Sequence, residues 1–336
     1  MREPAFWYRP PSWMSRLLFP FGAVYGAITA QRMIRKGAVV GIPVFCVGNY
    51  HVGGAGKTPT TLVLSKILHE MGEQPFVVSR GYGGRLEGPV RVETGTHTAK
   101  DVGDEPLMMA SQVPVIVSRD RAAGALFARQ QGASVILLDD GFQNPSLAKD
   151  ASLIVIDGGR GLGNGCVFPA GPLRAPLDPQ IARTDALIVV GEGHAADGVA
   201  QHLRAQGKAV LGATIKPDQD SVAALSGKRV LAFAGIGDPA RFYTTLRKSG
   251  VDVVGTKSFD DHHPYTVSDI EQLVAEAQAK SLTLVTTEKD IVRLRSDTNL
   301  ASRVGNVTAF AVSLDFVDSE TFRRFVAERL VQARGK

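Results

Sequence analysis

The chain of 336 residues is 44% apolar and 21% charged, which excludes a disordered protein and is long for a single domain. Its two cysteines, Cys46 and Cys166, stand far apart without metal-like spacing; this excludes a disulfide framework or a zinc site and fits a reducing compartment. The net charge of +5 resides in residues 1–40, which hold six basic side chains and one acid, Glu3, while the other 296 residues carry 32 charges of each sign, so no nucleic-acid-binding surface is implied.

That first segment also holds both tryptophans, Trp7 and Trp13, among Phe6, Tyr8, Phe19, Phe21 and Tyr25. Its uninterrupted apolar stretch, Leu17 to Ala30, is about 14 residues, short of the roughly 20 that cross a bilayer. A secretory signal peptide would share the basic start and the small residues near Ala27–Ala30. A nucleotide-type loop follows soon after, however, and needs cytosolic nucleotide. A helix packed on the protein's own core is a second reading. The favoured one is an interfacial membrane helix over residues 1–40, with aromatics and leucines at headgroup depth and Arg and Lys facing anionic lipid.

From residue 43 short apolar runs alternate with helical patterns. The run PVFCVGN predicts a buried strand leading into a glycine-rich loop. In TPTTLVLSKILHEMG, residues Leu62, Leu64, Ile67, Leu68 and Met71 share one helical face, and Gly72 ends it. Strands are expected at 75–79, 113–118, 134–141, 151–159 and 185–191, with helices opening at Asp104 and Asp120. Such a sequence implies an α/β fold with a parallel sheet covered on both faces, which binds ligands at the carboxyl ends of its strands. The first domain is expected over 41–207 and a linker over 208–221. A smaller α/β domain over 222–336 repeats the logic of strand, glycine-rich turn and helix, and its run VTAFAVSLDF reads as one strand.

Four motifs carry chemistry. In GNYHVGGAGKTPTT, Gly53, Gly54, Ala55 and Gly56 would turn backbone N–H groups around phosphate oxygens, with Lys57 on the β- and γ-phosphates and Thr58 offering its hydroxyl to Mg²⁺. The usual pattern has a glycine five residues before Gly56; here His51 stands there. Asp139 and Asp140 follow an apolar strand and should emerge at the sheet's carboxyl edge, where a nucleotide enzyme holds Mg²⁺. Asp104 and Glu105 open a helix; capping is their ordinary role, but transfer of phosphate to an alcohol needs a carboxylate or a histidine to take the hydroxyl proton. Asp260, Asp261, His262 and His263 crowd one loop, where an Asp–His pairing fits better than a metal site. Arg80, Arg121, Arg174 and Lys289 are further candidates for holding phosphate.

The runs GN-x-x-VGG-x-GKTP, SRGYGG, VGDEP, DDGFQ, GPLR, AFAGIGDP-x-RF, F-x-DH and T-x-KD occur in this order. Together, over about residues 10 to 330, they resemble the tetraacyldisaccharide 4′-kinases. The resemblance implies two α/β/α sandwich domains, the first like a P-loop NTPase, with the active site in the cleft between them. It implies transfer of the γ-phosphate of ATP to the 4′-hydroxyl of a tetraacyldisaccharide 1-phosphate in lipid A biosynthesis, with Mg²⁺, at the cytoplasmic face of the bacterial inner membrane. It also implies that Asp104 is the catalytic base, paired with His262. Glu105, Thr58, Asp139 and Asp140 would form the magnesium environment, with Arg174 close to the active site. A different class, a P-loop GTPase or ATPase switch acting on a protein partner at the membrane, would compete on the loop alone. A guanine reader usually carries N/T-K-x-D, and TTEKD, with Lys289 and Asp290 adjacent, does not match it.

Overall fold

The computed structural model describes residues 3–54 and 56–335. After a short 3-10 turn, Ala5–Tyr8, helix α1 runs over Trp13–Met33. There follow β1 (Val44–Gly48), α2 (Lys57–Glu70), β2 (Pro75–Ser79), β3 (Val90–Arg91), α3 (Ala99–Val102) and α4 (Asp104–Met109). Next come β4 (Val115–Val117), α5 (Arg121–Gln130), β5 (Val135–Asp139), β6 (Ala151–Asp157), α6 (Leu177–Ile181), β7 (Ala186–Val190), α7 (Asp197–Ala205) and β8 (Ala209–Pro217). The next elements are α8 (Gln219–Leu225), β9 (Arg229–Ala234), α9 (Pro239–Lys248), β10 (Asp252–Ser258), α10 (Val267–Ala279) and β11 (Thr283–Thr287). The chain closes with α11 (Glu288–Ser296), α12 (Thr298–Val304), β12 (Thr308–Phe310), β13 (Val312–Phe316) and α13 (Ser319–Arg334).

Nine strands form one sheet in the order β13-β8-β7-β6-β1-β5-β2-β4-β3. Its seven inner strands are parallel, and the edge strands β13 and β3 run antiparallel to their neighbours. Alternation along the strands makes two cores. Phe45, Val47 and Leu137 face Leu64 and Leu68 of α2 on one side. Val44, Cys46 and Ile136 face Ala125 and Ala128 of α5 and Leu203 of α7 on the other. Burying each large side chain contributes about 1.5–3 kcal/mol. A second, fully parallel sheet has the order β10-β9-β11-β12. It too is covered on both faces, by α10, α11 and α12 on one side and by α8 and α9 on the other.

Two expected boundaries are corrected. The stretch 208–221 is not a linker: β8 occupies most of it and pairs with β7, and Asp218 then caps α8 by accepting from Ser221 N. Its Gly212, Thr214 and Lys216 hid the strand, because one face of β8 is only partly covered. The second unit does not run to the C-terminus either. The run VTAFAVSLDF is two strands that part at Ala311: β12 ends the four-stranded sheet, and β13 returns to pair with β8. Helix α13 then places Phe322, Phe325, Val326 and Leu330 in the same core as α2.

Helix α1 packs by its small residues. Ser15, Gly22, Gly26 and Met33 are buried along one stripe. A Cβ on Gly22 would lie 2.7 Å from the Val167 carbonyl oxygen, so only glycine allows this approach. The opposite face leaves Trp13, Leu17 and Phe21 72%, 65% and 66% exposed. Among the described residues, no helix is long and apolar enough to cross a membrane.

Candidate active site

The phosphate-type loop joins β1 to α2 at the carboxyl edge of the large sheet. Gly53 and Gly56 take φ of +107° and +92°, which an L side chain rarely adopts. Gly56 caps α2 without a side-chain bond, so the N–H groups of the first turn are left for a ligand. Gly54 faces open space, and Ala55 lies outside the described residues. Asn49 ties the loop back by donating from Nδ2 to Gly53 O at 2.9 Å. Lys57 Nζ donates to the same carbonyl at 3.4 Å and lies 3.9 Å from Asp140. Thr58 is buried one residue further along α2.

His51 explains the missing glycine. Its backbone bridges to Leu173, Val52 N donates to Pro172 O, and Arg174 N donates to Tyr50 O, so segment 172–174 forms a short ribbon along the loop. This extended geometry does not call for glycine. Burial pushes the His51 imidazole down to about 4 and keeps it neutral; Nδ1–H donates to Val52 O at 2.9 Å.

Asp139 ends β5, in register with Val47 of β1, and Asp140 turns away with φ +51°. The neighbours have opposite electrostatics. Burial raises Asp139 to about 7, helped by the negative charges of Glu105 and Asp140, and its Oδ1 is buried without a partner. Burial also works against ionisation of Asp140, but Lys57 and Arg174 overcome it and hold that carboxyl well below its ordinary range. Arg174 grips Asp140 bidentately, Nη1 to Oδ1 at 2.6 Å and Nη2 to Oδ2 at 3.0 Å. Arg121 is buried and donates from Nη2 to Asp140 O at 2.8 Å, so it supports this turn from beneath and does not face the open loop. Arg80 stays exposed at the end of β2, close enough for its charge to act on Arg121.

Asp104 is brought in by two interlocked turns. Gly103, at φ +90°, separates α3 from α4, and a Cβ there would lie 2.5 Å from Tyr82 O of the SRGYGG turn. The Asp104 carboxylate is almost wholly buried. Oδ1 accepts from Glu105 N at 2.9 Å, and Oδ2 accepts from His262 Nδ1 at 2.9 Å with Arg293 Nε 3.0 Å away. Burial opposes the charge of Asp104, but His262 and Arg293 keep its carboxyl below the usual value. The same hydrogen bond raises His262 above its ordinary value, against burial. His263 points elsewhere: it bonds Asp269 Oδ2 at 3.1 Å and stacks on Phe259. Lys289, at the start of α11, pairs with Glu105, and this ion pair is the first cause lowering the Glu105 carboxyl. Beside the Asp104–His262 pair opens a cavity of about 360 Å³, lined also by Tyr82, Lys100 and Arg293.

The structure therefore brings Lys57, Thr58, Glu105, Asp139, Asp140, Arg174 and Lys289 around one carboxyl edge, with Asp104 and His262 beside them. Four contributors were not singled out from sequence. Asn49 and Gln143 brace the loop, Gln143 donating to Asn49 O at 2.7 Å. Tyr82 packs edge-on to His262, with ring centroids 5.4 Å apart. Arg293 stands three residues after Asp290 on α11, and that spacing was the available signal.

A glycine loop after a parallel strand, an uncapped helix start, a lysine and paired acids on the adjacent strand define an α/β protein of the phosphate-handling class. A family model described as tetraacyldisaccharide-1-P 4′-kinase (LpxK) matches residues 14–331, and the chain belongs to this family. It is 61% identical over 336 residues to a tetraacyldisaccharide 4′-kinase of Rhodopseudomonas palustris strain BisB18, covering 100% of this chain and 98% of that one. It is 61% identical over 334 residues to that of Nitrobacter winogradskyi, covering 99% of each. Among solved structures it is similar to LpxK of Aquifex aeolicus in complex with ATP, with a TM-score of 0.71 and 26% identity over 94% of this chain and 99% of that one.

Proposed function

We propose that the chain transfers the γ-phosphate of ATP to the 4′-hydroxyl of tetraacyldisaccharide 1-phosphate, the reaction of its family in lipid A biosynthesis. The observation that carries the mechanism is the buried Asp104 carboxylate, held by His262 and Arg293 close to the acids that flank the loop. A carboxylate has about four acceptor positions. Two are taken by hydrogen bonds from Glu105 N–H and His262 Nδ1–H, Arg293 adds an ion-pair contact at Oδ2, and a position is left for the acceptor hydroxyl. The hydroxyl oxygen attacks the γ-phosphorus, its proton goes to Asp104, and the bond to the β-phosphate oxygen breaks to release ADP. Lys57 and the first turn of α2 stabilise the charge on the phosphates.

Among the described residues, no group of three or more His, Cys, Asp or Glu side chains forms a metal cage. Mg²⁺ does not need one, since it binds through one or two oxygen side chains and the substrate's phosphates. The orphaned Oδ1 of Asp139, between the charges of Glu105 and Asp140, and the Thr58 hydroxyl fit that donor set. Bound there, Mg²⁺ would neutralise charge on the β- and γ-phosphates.

The exposed apolar face of α1 supports a lipid surface as its neighbour, at the cytoplasmic face of the inner membrane, with the acyl chains left in the bilayer. Incubation with labelled ATP, Mg²⁺ and the disaccharide 1-phosphate in detergent tests the reaction. Label should appear on the lipid; hydrolysis of ATP with no labelled lipid would sink the assignment.

A further inference from the structure

A second cavity, of about 290 Å³, lies between the segment 142–149, which returns from the end of β5 to the start of β6, and the residues just before β7, and Lys149, Arg183 and Arg35 line it away from the phosphate loop. Its lining includes Met33 and Arg35 at the end of α1, Lys149, and Arg183 with Asp185. Lys149 Nζ donates to Asn144 O at 2.6 Å and to Leu147 O at 3.4 Å. Arg183 donates from Nε to Met33 O at 3.1 Å and from Nη1 to Pro179 O at 3.0 Å. These partners are neutral carbonyls. The cavity's one lining carboxylate, Asp185, is already engaged, with Oδ2 accepting from Ser152 N at 2.8 Å and Oδ1 lying 3.2 Å from Arg329. Burial lowers the Lys149 ammonium, against an opposing effect of the buried Cys46 thiol, and the cations Arg121 and Arg183 lower it further. A half-buried ammonium and a guanidinium thus share a wall whose one carboxylate already serves another arginine, an arrangement completed by an anion.

We propose that this cavity is a binding site for a phosphate group, held by Lys149, Arg183 and Arg35. An ammonium beside two guanidinium groups suits phosphate oxygens. Met33, in the same wall, is the last residue of the helix that exposes Trp13, Leu17 and Phe21. A surface that takes this apolar face presents its headgroups to the cavity mouth. The phosphate of an anionic phospholipid is therefore the first source, and free inorganic phosphate the second. The lipid source rests on the membrane reading of α1; the anion site does not.

The test is co-sedimentation of the full chain with vesicles of phosphatidylcholine, with and without phosphatidylglycerol. Arg35→Gln/Lys149→Gln is compared with a charge-matched control, Arg16→Gln/Arg32→Gln, which lies on α1 outside the cavity lining. Both lose the general attraction to anionic lipid; the cavity pair should lose roughly tenfold more, because specific charge-assisted bonds are also removed. Binding to neutral vesicles should be equal in all three proteins. A separate arm follows thermal unfolding with inorganic phosphate and no vesicles. Phosphate that stabilises the wild type but not the cavity pair, with equal vesicle losses, assigns the site to free phosphate and overturns the lipid source. Equal losses with no phosphate effect overturn the site altogether. If the double variant fails to fold, exposed Arg35→Gln alone is compared with Arg32→Gln. Phosphate transfer in detergent is measured alongside, so failure of the kinase assignment is seen independently.

Discussion

Two charged seams join the nine-stranded sheet to the four-stranded one, and they differ in burial. In the first, Asp104 meets His262 and Arg293, and Glu105 meets Lys289. The Asp104 and Arg293 side chains are only 3% and 11% exposed. In the second, Asp157 pairs with Arg241, and Arg160 bridges Asp238 and Glu3, with both arginines more than a third exposed. A buried carboxylate such as Asp104 that depends on the other unit for its counter-charge penalises opening of the cleft, whereas pairs whose arginines reach water cost less to break and re-form. On the proposed mechanism, the first seam would couple closure to completion of the group that takes the proton, and the second would guide approach with less cost. On that reading, transfer is conditional on the closed form.

The sharpest way to break this comparison is Asp104→Asn, which keeps the shape of the first seam and removes its negative charge. Transfer to the disaccharide lipid should fall by about 10²–10⁴ in kcat, with ATP binding retained. Retained turnover would show that the buried seam is structural alone. Lys289→Met removes a counter-charge instead and leaves Glu105 half buried without its partner. Stability should fall by about 1–3 kcal/mol in denaturant melts, an amount a merely exposed pair would not reach.

The pH dependence sharpens the same contrast. His262 is raised above its ordinary value, so its charged contact with Asp104 is fully present below about 6.5, the unfolded value. That contribution is lost as pH rises through the folded value. Activity runs the other way: protonated His262 holds Asp104 as a weaker base, so kcat should climb as pH rises through the folded value. In His262→Gln the climb should disappear from the pH–rate profile. An unchanged profile would detach His262 from the proton transfer.

Much of the first seam was legible in the chain because each of its motifs is local. VGDEP places two acids at a helix start, and F-x-DH places its histidine in a turn between strand and helix. What the sequence could not show was pairing across distance. Arg241 stands in the GDP-x-RF run and Gln143 in DDGFQ, yet their partners, Asp157 and Asn49, lie 84 and 94 residues away. The fold's apolar strands were readable by their runs, since both faces are covered. Strand β8 was not, because its polar residues resemble a linker, and the return of β13 depends on its neighbour and not on its own composition.

The smallest effect concerns Glu3, which sits in the second seam and also over the phosphate loop. At Gly53 there is no room for a Cβ, because the Glu3 carboxylate occupies that space. Arg160 lies 3.3 Å from the same carboxylate and compensates part of its charge. On the proposed reading of the loop, a nucleotide's phosphates would meet this negative group and have to move it aside. Glu3→Gln removes the charge and keeps the length, so the KM for ATP should fall roughly two- to fivefold, corresponding to about 0.3–1 kcal/mol for a screened charge. The kcat should be unchanged, because Glu3 is remote from Asp104 in both sequence and seam. Raising ionic strength should shrink the difference between wild type and variant, since a charge that reaches solvent is screened over about 10 Å at 0.1 M salt, though the partly buried Glu3 is screened less completely. A KM that stays equal at low salt would mean that Glu3 leaves the loop at no cost, and that the second seam has no influence on nucleotide entry.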